Sequence, residues 1–331
     1  MGTVAVVGHL CVDIRPQFAH RPILEPGTLR QVGPATIALG GAVANTGRVL
    51  AVLGVPVVGW GAVGPDDLGA ITRAHLGRVT GFDFRAQEVA TGTSYTIVLE
   101  PPGVDRSFWN YPGSNADLDL GGVSLDGTDL LHFGYPSLMP GVCADRGAGL
   151  EDLFARARLH GVATSLDLAW IDPRSAAAEV DWPGFLSRIL PVTDILCPSY
   201  DDLACIFGLP AQFDATIAAA TVERLLDSGA GIVMVTAGAD GILLGAGDTA
   251  RLRRLAACGL RPEEWAGVRA AVPAVALAQV STTTGAGDAA TAGLLFGLRS
   301  GLGPLAAVEL AAGVAAAVIE QGGTEAFTGL G

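Results

Sequence analysis

Seven residues, Thr282-Thr283-Thr284-Gly285-Ala286-Gly287-Asp288, run straight into Ala289-Ala290-Thr291-Ala292-Gly293-Leu294-Leu295-Phe296 and carry the parts needed to handle an anion. Two glycines one residue apart let the chain turn tightly, and the small and apolar residues after them suit a helix buried nearly all round. The free N–H groups at such a helix start, reinforced by the helix dipole, form a site for a phosphate. Asp288 stands in that first turn, where it could take a proton from a hydroxyl while backbone amides hold the charge on a transferring phosphoryl group. This is the chemistry of a kinase without a P-loop. A plainer use of the same residues is that Asp288 only complements the helix dipole and the glycines only turn the chain.

The composition narrows the alternatives. Half of the 331 residues are hydrophobic, enough for one large α/β domain or two smaller ones. A formal charge of -13 and a pI near 4.7 argue against a general attraction to nucleic acid or anionic membrane, so any phosphate must be held by local chemistry. All 20 basic residues are Arg. Without a lysine there is neither a Walker A loop nor the strand lysine of protein kinases. The N-terminal residues lack a basic n-region, and Val6 stands where myristoylation wants Ser or Thr. Apolar runs such as Ala311 to Ile319 fall short of the ~20 residues that span a bilayer, so a soluble, cytoplasmic protein is expected. Cys11, Cys143, Cys197, Cys205 and Cys258 are scattered and read as reduced, mostly buried thiols. Neither HExxH nor GxSxG occurs.

Positioning these residues requires a particular order of elements. Thr3 to Gly8 is a β-branched run, expected to be a central strand with Asp13 beyond its carboxyl end, where ligands of open α/β sheets bind. Residues 14 to 37 hold too many prolines and glycines for a helix and suit short strands that leave the main sheet. Gly40-Gly41 then opens a helix containing Asn45, a poor helix-interior residue and so a candidate contact to a polar small molecule beside the bare Gly41 backbone. Thr93 to Glu100 and Arg106 to Tyr111 read as a hairpin, with Trp109 or Tyr111 placed to close over a ligand. From Leu130 onward strands at Leu130 to Phe133, Val162 to Leu166, Asp194 to Cys197 and Gly231 to Val235 alternate with helices, the pattern of a parallel sheet. At Thr236-Ala237-Gly238-Ala239-Asp240-Gly241 the glycines either admit a nucleotide to the backbone or simply make a hairpin. Pro304 to Gln321 is a final helix.

Together, Gly40-Gly41-Ala42-Val43-Ala44-Asn45 near the start and Thr283-Thr284-Gly285-Ala286-Gly287-Asp288 near the end resemble the two signatures of the ribokinase-like, or PfkB, carbohydrate kinases. The resemblance covers residues 1–331 as a single domain. It implies a three-layer α/β fold with a mostly parallel sheet, helices on both faces and a small β lid from about 14–37 and 92–115. It also implies ATP and Mg2+ as cofactors, Asp288 as general base, and Gly285, Ala286 and Gly287 as the anion hole. Acceptor hydroxyls would fall to Asp13, Gly41 and Asn45, and ATP to Thr236, Gly238, Gly241 and Ser199. Relatives often dimerise through the lid, so a homodimer is expected.

Two departures from the family pattern stand out. Ser199-Tyr200-Asp201-Asp202 replaces an Asn-x-x-Glu motif, leaving Asp202 to assist the metal through water. Thr282 replaces a frequent Asp associated with monovalent cations, which makes potassium activation doubtful. The acceptor groups suit a neutral sugar, polyol or nucleoside. A sugar phosphate would need Arg15, Arg30, Arg85 or Arg106, with Asp105 tempering the last. Two further alternatives are a non-catalytic sugar or nucleotide sensor on the same fold and a Rossmann oxidoreductase using Gly285-x-Gly287-x-x-Ala290. The latter lacks a hydrophobic strand before Gly285.

Overall fold

Val4 to Val7 are fully buried, as a strand covered by helices on both faces must be. In the computed structural model, which describes residues 2–23, 25–103 and 106–330, this run is β1 (Thr3–Gly8). The other strands are β2 (Cys11–Pro16), β3 (Ala35–Gly40), β4 (Val57–Val63), β5 (Phe82–Glu88), β6 (Tyr95–Leu99) and β7 (Ser107–Tyr111). They continue with β8 (Thr128–Gly134), β9 (Ala163–Asp167), β10 (Ile195–Leu196), β11 (Ile232–Thr236), β12 (Ile242–Ala246) and β13 (Arg269–Val272). Among the described residues, nine form one sheet in the order β13-β12-β11-β10-β9-β8-β1-β4-β5 and four form another in the order β3-β2-β6-β7.

The large sheet is parallel from β11 to β5, and β12 and β13 run antiparallel at its edge. Alternate residues of β1 feed opposite cores. Val4 and Val6 pack in the layer with Leu294, Leu298 and Val314, while Ala5 and Val7 pack with Leu150, Phe154 and Phe185. Strand order reverses between β1 and β8, so the crevice for a ligand lies outside their carboxyl ends.

The helix Ala286–Arg299 lies in the first of these layers against Pro304–Gln321. Their close approach explains two small residues: a Cβ on Gly293 would stand 2.8 Å from the Ala311 Cα, and one on Gly297 would stand 3.1 Å from the Ala307 Cα. Pro304–Gln321 is long and apolar enough to cross a membrane by composition, in contrast to the sequence expectation. One face of it packs in the core against Ala286–Arg299, and 39% of the span is buried. Cys205 is exposed and the other four cysteines are buried, all as free thiols.

The smaller sheet extends beyond the expected boundaries, since β2 begins at Cys11 and β3 ends at Gly40. Asp13 therefore sits inside a strand of this sheet, not in a loop beyond β1. Cross-strand pairing sets Ala38, Asp13, Thr96 and Asn110 in one row, and side chains of paired residues share a face. Phe108 lies on the Asp13 face with Asn110, two residues along β7. Trp109 and Tyr111 point from the opposite face, which corrects the expectation that either covers a ligand held by Asp13. Val104 and Asp105, through which the sequence was expected to turn, lie outside the described residues.

Candidate active site

Gly285 has φ 79°, a conformation that suits glycine, and this turn starts the helix Ala286–Arg299. The Ala286 N–H reaches back 3.3 Å to the Thr283 carbonyl and closes the turn. Gly287 is exposed in the first helical turn, whose remaining N–H groups have no partner within the helix. Asp288, the next residue, turns inward and is 2% exposed.

Three side chains donate to that carboxylate. Thr46 Oγ1 lies 2.9 Å from Oδ1, and Asn45 Nδ2 and the Tyr135 hydroxyl lie 3.0 and 2.6 Å from Oδ2. Burial raises the Asp288 pKa, and the hydrogen bonds from Tyr135, Thr46 and Asn45 hold the rise back. Asp288 thus does more than complement the helix dipole: it is oriented by groups more than 150 residues away in the chain.

Asn45 has its other end engaged as well, since its Oδ1 accepts from Thr324 Oγ1 at 2.8 Å. In this structure it bridges Thr324 and Asp288. Gly41, with φ 88°, precedes the helix Ala42–Val52 that carries Asn45 and Thr46; a Cβ there would fall 2.4 Å from the His9 carbonyl oxygen. Asp13 is buried and accepts from Arg15 at 3.0 Å and from Cys11 Sγ at 3.3 Å. Burial raises its pKa, and Arg15 opposes the rise.

Tyr135 has φ 66° and ψ 49°, left-handed values that are uncommon for a residue with a Cβ, at the carboxyl end of β8. From this turn the phenol reaches Asp288, to which its hydroxyl donates. Asp167 ends the neighbouring β9, buried, its pKa pushed well up by burial and by the charges of Asp288 and Asp202. Arg106 folds down from the small sheet and donates to Thr284 Oγ1 at 2.6 Å, beside the glycine turn. Tyr135, Thr46, Thr324 and Asp167 were not identified from sequence. A lone tyrosine after a strand carries no local signal.

The residues expected near ATP fall at neighbouring strand ends. Thr236 forms a bridge to Ser199, and its N–H bonds the Pro198 carbonyl at 3.1 Å. Ser199 and Asp202 make a reciprocal helix cap: Ser199 Oγ accepts from the Asp202 N–H at 3.1 Å, and Asp202 Oδ2 accepts from the Ser199 N–H at 2.8 Å. Burial raises the Asp202 pKa to about 6. Around Gly238, which has φ 55°, a Cβ would meet no atom within 4 Å. Gly241 differs, because a Cβ there would lie 2.2 Å from the Val272 carbonyl oxygen; its bareness serves the packing of β13. Among the described residues, no three His, Cys, Asp or Glu side chains converge as a metal cage. Thr282 Oγ1 accepts from the Thr284 N–H at 3.2 Å and so shapes the turn.

The chain and its fold are similar to known proteins. The family model for pfkB family carbohydrate kinases matches residues 1–328. A fructokinase from Rhizobium leguminosarum bv. trifolii is 28% identical over 82% of this chain and 74% of its own length. A 5-dehydro-2-deoxygluconokinase from Geobacillus kaustophilus is 25% identical over 95% of this chain and 87% of its own. The fold matches Arabidopsis thaliana ribokinase complexed with ribose and ATP, at a TM-score of 0.74 and 19% identity over 98% of this chain and 95% of that one. It also matches adenosine kinase from Sinorhizobium meliloti, at 0.75 and 22% over 98% and 95%. The paired signatures and a family match over nearly the whole length lead to one conclusion: this chain belongs to the pfkB family of carbohydrate kinases.

Proposed function

We propose that the chain transfers the γ-phosphoryl group of ATP to a hydroxyl of a small neutral sugar, polyol or nucleoside. The observation that carries this reading is the buried Asp288 carboxylate, held by Asn45, Thr46 and Tyr135 at the start of a glycine-led helix. The acceptor oxygen attacks the γ-phosphorus, its proton passes to Asp288, and the bond to the β-phosphate oxygen breaks to release ADP. Amides at Gly285 and Gly287 stabilise the charge on the transferring group, and the Ala286 N–H joins them once it leaves the Thr283 carbonyl. Thr236, Gly238 and Ser199 line the nucleotide side, and Gly241 supports them through its packing on β13.

Mg2+ keeps several of its waters when bound, so Asp202 and Asp167 suit a hydrated ion held through water better than a protein cage. Its chemistry would be to neutralise phosphate charge. The small sheet serves as a lid, with Asp13, Gly41, Thr96 and Asn110 facing the acceptor. The exposed Trp109 and Tyr111 on its far face offer a dimer contact, which light scattering tests.

Three of the four candidate arginines support a neutral acceptor. Arg15 is paired with Asp13, Arg30 with Glu25 and Arg85 with Asp83. Arg106, bonded to Thr284, stands beside the loop assigned to the transferring phosphoryl group. The same contact favours a second reading, a sugar-phosphate kinase in which Arg106 grips the acceptor's phosphate. A panel of D-fructose, D-ribose, adenosine, inositol and their phosphates with Mg-ATP, followed by ADP release, separates the two. Turnover of phosphorylated acceptors alone, abolished by Arg106→Ala, would establish the second. Binding of ATP and acceptor without any ADP release would make the protein a sensor.

A further inference from the structure

Two side chains leave the large sheet where its strand order reverses. His9 follows β1 and Tyr135 follows β8, and the His9 N–H bonds the Gly134 carbonyl at 3.1 Å, joining the two strand ends. Their rings lie 6.0 Å apart. Asn115 fixes the loop that carries His9, its Oδ1 accepting from the Leu10 N–H at 3.1 Å and its Nδ2 donating to the Leu10 carbonyl at 3.0 Å. Tyr135 is engaged with Asp288, but His9 has no comparable partner. It is 2% exposed, and among the described residues neither Nδ1 nor Nε2 meets a hydrogen-bond partner.

Buried polar atoms are nearly always hydrogen-bonded, so a ring with both nitrogens orphaned at a sheet's switch point calls for a ligand. The other fully buried histidine, His132, makes a useful contrast. It lies within β8 with Nδ1 3.0 Å from Ser165 Oγ, so that among the described residues only its Nε2 is without a partner, whereas His9 has neither nitrogen engaged. His9 instead faces the acceptor loop, its Nδ1 only 2.7 Å from where a Cβ on Gly41 would be.

We infer that His9 is a specificity-determining residue of the acceptor pocket, its imidazole taking a hydroxyl of the neutral acceptor beside Gly41 and Tyr135. This rests on the kinase reading above and narrows it. Burial lowers the His9 pKa to about 4, so the ring is neutral near pH 7 and offers one donor and one acceptor. Such a ring matches a hydroxyl, which also donates and accepts, and lends no positive charge to a phosphate.

The test compares wild type with His9→Phe, which keeps a ring and removes both nitrogens, and His9→Asn, which keeps a donor and an acceptor on a shorter side chain. ADP release is measured with whichever of D-fructose, D-ribose or adenosine the wild type turns over. The Phe variant should raise the acceptor KM at least ~10-fold while changing kcat less than ~3-fold and leaving the ATP KM alone, the signature of a lost binding contact. The Asn variant should recover part of that loss. Because His9→Phe disturbs a buried site, wild-type protein labelled with 15N-histidine supplies a second readout: adding the acceptor alone should move the ring signals of His9 among the five histidines. An acceptor KM unchanged in a folded His9→Phe, or His9 signals that stay in place at saturating acceptor, would overturn the inference. A wild type whose His9 signals move but which releases no ADP would support it and remove the kinase reading instead.

Discussion

Replacing Tyr135 by Phe removes one oxygen atom and leaves the ring, the Cβ and the left-handed backbone as they are. That oxygen donates to Asp288 Oδ2 over 2.6 Å and is the largest of the three side-chain bonds that oppose the upward push of burial on the carboxylate. A hydrogen bond to a charged group contributes about 1.5–3 kcal/mol. Losing that bond removes part of what stabilises the ionised form, so Asp288 should titrate higher in the variant. Asp288 accepts a proton only when ionised, so kcat/KM falls on the acid side through its pKa. In wild type that limb should already lie above the ordinary carboxylate value near ~4, and Tyr135→Phe should move it further toward neutral pH. The assay is ADP release by both proteins from pH 5 to 9, with the limbs fitted separately. A limb that stays in place or moves to lower pH would refute the assignment of Tyr135 as a donor to an ionised base.

Three shorter predictions follow from the same geometry. Gly287→Ala and Gly313→Ala both place a methyl where no atom lies within 4 Å, so each should leave the fold intact and gain up to ~1 kcal/mol of helix stability. Only Gly287→Ala should lose turnover, because its methyl enters the space assigned to the phosphoryl group; equal activity in the two variants would contradict this. Asp167 has a folded pKa raised well above its unfolded value, so its ionisation opposes folding and stability falls as pH rises from about 4 through the folded pKa. Asp167→Asn should therefore melt higher than wild type at pH 8 and no higher near pH 4, and coincident melting curves at pH 8 would show that Asp167 carries no such strain. Thr282, a neutral hydroxyl used in the turn, should leave activity nearly equal in potassium and in tetramethylammonium at matched ionic strength; a several-fold activation by potassium would count against it.

Much of the site is legible in the chain because glycine and carboxylate spacing encode it locally. Gly285-Ala286-Gly287-Asp288 forms the expected turn and helix start, and Gly40-Gly41 the expected opening of the helix bearing Asn45. The partners of Asp288 are less legible, because they meet only in three dimensions. Thr46 is one of many small polar residues in its helix, and Thr324 approaches Asn45 from 279 positions away. The parity of β7 is unreadable for a different reason: Phe108, Trp109 and Tyr111 place aromatic side chains on both faces, so no alternation tells which face meets the crevice. The Ser199 and Asp202 pair stands where the family has its Asn-x-x-Glu motif and also makes a helix cap, which becomes visible only in the fold.

The proton acceptor is where the account stands most exposed. Asp288→Asn keeps the size and shape of the side chain and removes the base. Acceptor binding should be largely retained by titration calorimetry, while ADP release with Mg-ATP should fall at least ~100-fold, within the usual range for a positioned base. An Asp288→Asn protein that turns over at the wild-type rate would contradict the account at its centre.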